Sequence, residues 1–215
     1  MKLLRPAVAA MLAALCAIAG AQHMHEHRFS DAERWAKIFD DPARDAWQKP
    51  QEVIAALAVT PDSTVADIGS GTGYFAVRLA RAAPKGRVYG IDTEPSMVKY
   101  LDERAKHEGL ANLVSIAGRP GDASLPGKVD LVLLVDVYHH IGERESYFGR
   151  LRGSLNPGAR VAIIDFRLES PSGPPKRERI GAEQVKGELA KAGFAVAKEH
   201  GFLPNQYFLV FEAKQ

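Results

Sequence analysis

The chain has 215 residues, 46% of them hydrophobic, 25% charged and 8% aromatic. That balance belongs to an ordinary globular protein and excludes collagen-like, low-complexity and wholly disordered chains. With 28 Lys and Arg against 26 Asp and Glu, the formal charge is only +2, too small for a protein that grips nucleic acid by neutralising phosphates.

Residues 1–21, MKLLRPAVAAMLAALCAIAGA, open on Lys2 and Arg5, run uncharged through 6–19 and end in Ala19-Gly20-Ala21. This is the pattern of an export signal cleaved after Ala21. Its uncharged run is shorter than the roughly 20 residues a spanning helix needs. The expectation is an exported, periplasmic protein with no stable membrane anchor, or a cytoplasmic one if translation starts at Met24. Leu15 before Cys16 argues against a lipid anchor. Cys16 is the single cysteine, so disulfides, structural zinc, thiol nucleophiles and arsenite chemistry on thiolates are not expected downstream. His23, His25 and His27 read as an exposed tail rather than a metal site, and no metal is expected.

Residues 22–60 read as this tail followed by a helical arm. Ser30 with Glu33 has the spacing of a capping box, and Trp35, Ile38 and Phe39 recur at helical intervals. Asp41-Pro42 interrupts, and Pro50 opens a second short helix carrying Val53, Ile54 and Leu57. From residue 61 to 215 strands and helices alternate. Strands are expected at 64–68, 87–91, 112–116, 130–135 and 160–166, with helices at 74–83, 95–108, 142–155 and 182–192. Two last strands, 195–198 and 206–212, form an antiparallel hairpin. The fold class is α/β: a Rossmann-like doubly wound sheet of seven strands, mostly parallel, with an antiparallel final hairpin. The stretch 131–135, apolar at every position, suits a strand covered on both faces.

The first strand runs into Asp67-Ile68-Gly69-Ser70-Gly71-Thr72-Gly73. Glycines at a strand's carboxyl end let the backbone turn sharply and let a ligand come close. Tyr74 stands where a dinucleotide fingerprint needs its last glycine, and no nucleoside-triphosphate loop pattern is present. Asp67 beside this loop repels a diphosphate and attracts an ammonium group. Asp92, at the end of the next strand, is placed to accept both hydroxyls of a ribose.

The segment VADIGSGTGYFAVRL resembles the first motif of class I S-adenosylmethionine-dependent methyltransferases. Asp92 matches their acidic residue after the second strand, and Gly121-Asp122 the adenine-facing position after the third. LVLLVDVYHHI resembles the fourth-strand motif, and LNPGA the turn before the fifth strand, with Ala159 in place of a second glycine. The resemblance spans about residues 50–215 and is closest to the branch that methylates small molecules. It implies S-adenosyl-L-methionine as cofactor, held by Asp67, Gly69, Ser70, Gly71, Gly73, Asp92, Thr93, Asp122 and Asp136, and a small-molecule acceptor rather than nucleic acid. Oligomeric state is left open.

Methyl transfer to a neutral nucleophile needs positioning, and a base only where the nucleophile must lose a proton. His139 is the chosen base, because a histidine titrates near neutrality; the alternative is that His139 and His140 merely begin the next helix. Asp136 is the second catalytic candidate and more naturally orders the cofactor's methionine end. Residues 39–50 and 170–179 are candidate lids, with Arg44 and Trp47 closing over substrate and Trp35 anchoring the arm. Lys176, Arg177 and Arg179 read as a solvated charge run. Asn205-Gln206-Tyr207 lies at the mouth of the final hairpin. The rival reading is an exported, non-catalytic nucleoside-binding protein on the same fold.

Overall fold

A computed structural model describes residues 30–214. The leader, Cys16 and the three tail histidines lie outside them. The arm is broken into short helices: α1 (Ala32–Phe39), a 3-10 turn (Pro42–Arg44), α2 (Asp45–Gln48) and α3 (Pro50–Leu57). The first helix is capped by Asp31, whose carboxylate accepts the Arg34 N–H at 3.0 Å. The expected Ser30 capping box is corrected by one residue, since aspartate is an equally good N-cap. Lys49 takes a left-handed conformation between α2 and α3, which sets the bend there.

Beyond the arm come β1 (Thr64–Ile68), α4 (Ala76–Ala82), β2 (Arg87–Asp92), α5 (Pro95–His107), β3 (Leu113–Ala117), β4 (Val129–Val135), α6 (Arg144–Leu151), β5 (Leu155–Phe166), α7 (Ala182–Lys191), β6 (Phe194–His200) and β7 (Gln206–Ala213). The sheet order is β3-β2-β1-β4-β5-β7-β6. The first five strands pair in parallel, while β7 runs antiparallel to both β5 and β6. This is the expected architecture. The boundaries that moved have local causes. Tyr74 and Phe75 turn before α4 begins, because three positive-φ glycines precede them. The predicted helix 142–155 stops at Leu151 and tightens into a 3-10 turn at Arg152–Ser154. Strand β5 starts five residues early, since Leu155 already pairs with Val129 across a register irregularity that accommodates Pro157 and Gly158.

The strands alternate between two cores. Leu131, Leu133, Ala162, Ile164, Phe208 and Val210 face α3, α4 and α5. Val132, Leu134, Val161, Ile163, Leu209 and Phe211 face α6 and α7. The order reverses at β1 and β4, which leave the sheet toward opposite sides. A crevice at their carboxyl ends is where open α/β sheets bind ligands. No helix among the described residues is long and apolar enough to cross a membrane.

Candidate active site

The glycine loop lies in that crevice. Gly69 holds φ +69, and a Cβ there would come 2.3 Å from the Val137 side chain. No other residue fits where the end of β1 meets the segment after β4. Gly71 holds φ +53, and the Phe39 ring of the arm covers it at van der Waals distance. Asp92 ends β2 with both carboxylate oxygens on backbone: Oδ2 accepts Gly71 N–H at 2.8 Å and Oδ1 accepts Glu94 N–H at 2.9 Å. A carboxylate oxygen can accept more than one hydrogen bond, so each keeps capacity for a ligand hydroxyl. Thr93 beside it is exposed.

Asp67 is buried at the carboxyl end of β1, and burial raises its pKa to about 7 against the opposing pull of Arg44. Asp136 ends β4 in a left-handed conformation (φ +58) that a non-glycine residue rarely adopts. Its N–H is held by Ile164 O at 2.9 Å, and its carboxylate accepts the Gln206 amide and faces Arg44 Nη2 at 3.7 Å. Burial, then the charge of Asp165, raises its pKa despite Arg44. Ser70 Oγ and Thr72 Oγ1 are buried in the loop with no partner among the described residues. Two desolvated carboxylates and two orphaned hydroxyls around a glycine cradle fit a ligand with positive charge and hydrogen-bonding groups.

Asp122, expected at the adenine end, stands on the surface after β3. It is exposed, its Oδ1 accepts the Ser124 N–H within its own turn, and Arg150 fixes the neighbouring Gly121 O at 2.7 Å. One carboxylate oxygen is thus occupied by the loop after β3.

His139 and His140 do not begin the next helix; they lie in a 3-10 turn at Tyr138–His140. His139 Nδ1 lies 2.8 Å from Asp165 Oδ2, near the carboxyl end of β5, with both side chains almost fully buried. Burial pulls the His139 pKa down. The hydrogen bond and charge of Asp165, with Asp136 and Glu178 behind them, outweigh it and raise the pKa above the usual 6.5. Asp165 was not among the sequence candidates. It sits inside the apolar run RVAIIDF, and its one signal is a carboxylate at a strand's carboxyl end. Tyr207 lies directly opposite Asp165 in the β5–β7 register. Its hydroxyl is buried without a partner among the described residues.

The arm closes over the crevice. Trp47 packs on Phe166, with ring centroids 5.9 Å apart, and Gln48 donates to Gln206 at 2.7 Å. Arg44 and Arg78 flank the Tyr74 ring, each 4.1 Å from its centroid, and the Tyr74 hydroxyl bonds Asp45. Tyr74 is therefore the anvil on which the arm is seated. Trp35 stacks on Phe39 at 5.3 Å but is only half-buried.

The segment 167–181 is knitted shut. The Arg179 guanidinium reaches the carbonyls of Arg167, Leu168, Ser170, Ser172 and Pro174 at 2.6–3.2 Å. Gly173, at φ +103, lies flat on the Phe166 ring. Arg179 does not belong to a solvated charge run, whereas Lys176 and Arg177 are exposed. Among the described residues no group of three or more His, Cys, Asp or Glu is placed to hold a metal ion.

A glycine-loop crevice at the switch point of a doubly wound sheet is where α/β proteins of this class take up their ligands. Comparison with known proteins is more specific. A family model described as a methyltransferase domain matches residues 60–199. Trans-aconitate 2-methyltransferase from Rhodopseudomonas palustris (strain BisB18) is 30% identical over 165 residues, covering 75% of this chain and 60% of that protein. Norajmaline N-methyltransferase from Rauvolfia serpentina is 31% identical over 173 residues, covering 79% of this chain and 52% of the other. The chain thus spans between half and three fifths of these curated relatives. A solved SAM-dependent methyltransferase from Aquifex aeolicus superposes with a TM-score of 0.77 at 27% identity, over 84% of this chain and 97% of that one. The chain belongs to the methyltransferase family, whose domain it carries over residues 60–199.

Proposed function

We propose that this chain transfers a methyl group from S-adenosyl-L-methionine to a small-molecule acceptor whose attacking atom loses a proton to His139. The observation that carries this reading is the buried His139–Asp165 pair beside the glycine-loop crevice. Relatives that methylate trans-aconitate and norajmaline support a small acceptor.

In this reading Asp67 and Asp136 balance the cofactor's positive charges, Ser70, Gly71 and Gly73 line its cradle, and Asp92 takes the ribose hydroxyls. Gly69 shapes the turn, Thr93 flanks the ribose, and Asp122 offers its remaining oxygen at the adenine end. The cofactor when bound supplies an electrophilic methyl on a sulfonium. Asp165 accepts from His139 Nδ1–H, which fixes the tautomer and leaves Nε2 to take the acceptor's proton. Trp47, Phe166 and the clipped 167–181 segment exclude water, so positioning can supply about 7–11 kcal/mol of the barrier.

A base must be neutral to act, so turnover rises with pH through a His139 pKa lying above 6.5. His139→Gln is expected to lower kcat about 10²–10⁴-fold, the usual worth of a general base, with cofactor affinity unchanged. Asp165→Asn is expected to shift the pH midpoint downward. A pH–rate profile identical to wild type in Asp165→Asn removes the pair from the mechanism.

A further inference from the structure

The ionised groups around His139 share one sign. Asp165 Oδ2 lies 2.8 Å from its Nδ1. Asp136 ends the neighbouring strand, with its N–H held at 2.9 Å by Ile164 O, next to Asp165. Glu178, on the 3-10 turn Lys176–Glu178, brings a third carboxylate, whose charge acts on His139 together with those of Asp165 and Asp136. Tyr207, opposite Asp165 in the β5–β7 register, adds a hydroxyl buried without a partner among the described residues. Burial, then the charge of Asp165, pushes the Tyr207 pKa up, so this group stays neutral.

The arginines of the region are already committed. Arg44 donates to Phe39 O and Gln48 Oε1 and faces Asp136 at 3.7 Å. Arg144 is held by both oxygens of Glu188 and by Ile141 O. Arg167 donates to Leu203 O and Pro204 O, and Arg179 to the carbonyls of its own segment. Arg177 lies 3.0 Å from Glu178 but is 73% exposed, so water screens its charge. Bound S-adenosylmethionine carries one net positive charge. That charge and Arg44 offset Asp67 and Asp136, which leaves Asp165 and Glu178 uncompensated beside a neutral His139. Protonation of His139 offsets one of them, and the other remains.

We infer that the acceptor pocket selects by charge: it takes an acceptor that is uncharged or cationic around its attacking atom and turns away one that carries a carboxylate there. This rests on the methyl-transfer reading above and adds the chemical class of its acceptor. Like charges brought together in a water-poor site are strongly unfavourable. Trp47, half-buried and packed on Phe166, offers a flat apolar wall suited to an aromatic ring.

Three phenols of one length separate charge from shape: tyrosol, tyramine and 4-hydroxyphenylacetate, which end in a hydroxyl, an ammonium and a carboxylate. In each, the phenol oxygen bonds the methyl carbon as the carbon–sulfur bond breaks, S-adenosylhomocysteine leaves, and the phenol proton passes to His139 Nε2. Transfer is measured with the full chain at pH 8, where an ordinary histidine is neutral, alongside cofactor binding by calorimetry. The kcat/KM for tyrosol and tyramine is expected to exceed that for 4-hydroxyphenylacetate by about 10- to 30-fold, the effect of one unbalanced charge about 8 Å away at an effective dielectric constant near 20. Glu178→Gln is expected to narrow that ratio about 3- to 10-fold. Equal transfer to all three, or a preference for the carboxylate, overturns the inference; loss of that transfer in His139→Gln then leaves the base standing. A ratio that Glu178→Gln leaves unchanged also overturns it, because the selectivity would not come from the charges of the pocket. Transfer to none of the three while S-adenosylmethionine binds overturns the acceptor class and leaves the cofactor assignment in place. If S-adenosylmethionine does not bind, the reading beneath the inference falls.

Discussion

Asp92 shows how one carboxylate can hold a loop and await a ligand at once. Its two oxygens already receive Gly71 and Glu94 amides, and burial raises its pKa against those stabilising bonds. Asp92→Ala removes the loop's brace and the hydrogen-bond acceptors together. Cofactor binding is expected to weaken by about 1.5–3 kcal/mol, measured by calorimetry; unchanged affinity would take Asp92 out of the site. Asp92 and Asp67 were legible in the sequence because each stands at a strand end beside glycines. His139 was legible from its place after the fourth strand. Asp165 was not, because the stretch 161–166 of β5, buried at every position, shows no periodicity that would single out its one polar residue. Arg44 was legible as a residue of the arm, but its seat on Tyr74 is revealed only by the fold.

At the scale of elements, alternating strands and helices were readable because each strand is a short apolar run bounded by turn residues. The arm's fragmentation was partly readable, from Asp41-Pro42 and Pro50. What escaped were features set by partners distant in sequence: the early start of β5 against Val129, and the closure of 167–181. Residues 170–179 were read as a candidate lid with Arg179 in a solvated charge run, because the order of the segment comes from backbone carbonyls, to which composition is blind. Arg179→Met is expected to expose it to limited proteolysis within 167–181 and to lower stability by about 1–3 kcal/mol, leaving cofactor affinity in place. A proteolysis pattern like that of wild type would show that the guanidinium is dispensable.

For the molecule as a whole, the buried acids make stability a function of pH. Asp67 titrates near 3.8 when unfolded and near 7 when folded, so between those values the folded chain holds more protons and stability falls as pH rises. Asp136 acts in the same direction. The raised His139 pKa adds stability that is full below 6.5 and lost as pH climbs through the folded value. Two groups oppose this trend: Glu188, whose pKa of about 2 against a usual 4.5 confines it to acid solution, and His200, whose pKa is lowered by burial and then by Lys198 and which acts near neutrality against three raised groups. The ligand-free chain is therefore expected to melt several degrees higher at pH 5.5 than at pH 8, by scanning calorimetry. Cofactor affinity should run the other way and tighten as Asp67 ionises; a melting temperature that climbs from pH 5.5 to 8 would contradict the buried charges.

The Arg179 clip has a practical corollary. One guanidinium gathers five main-chain oxygens, and the buried Ser170 hydroxyl adds a local turn by donating to Ser172 O and accepting its N–H, so the path of the segment rests on these two side chains and little on the exposed ones. A combinatorial library over the exposed Pro171, Pro175, Lys176 and Arg177, with Ser170, Gly173 and Arg179 retained, would keep the trace of this stretch while its surface chemistry is rewritten.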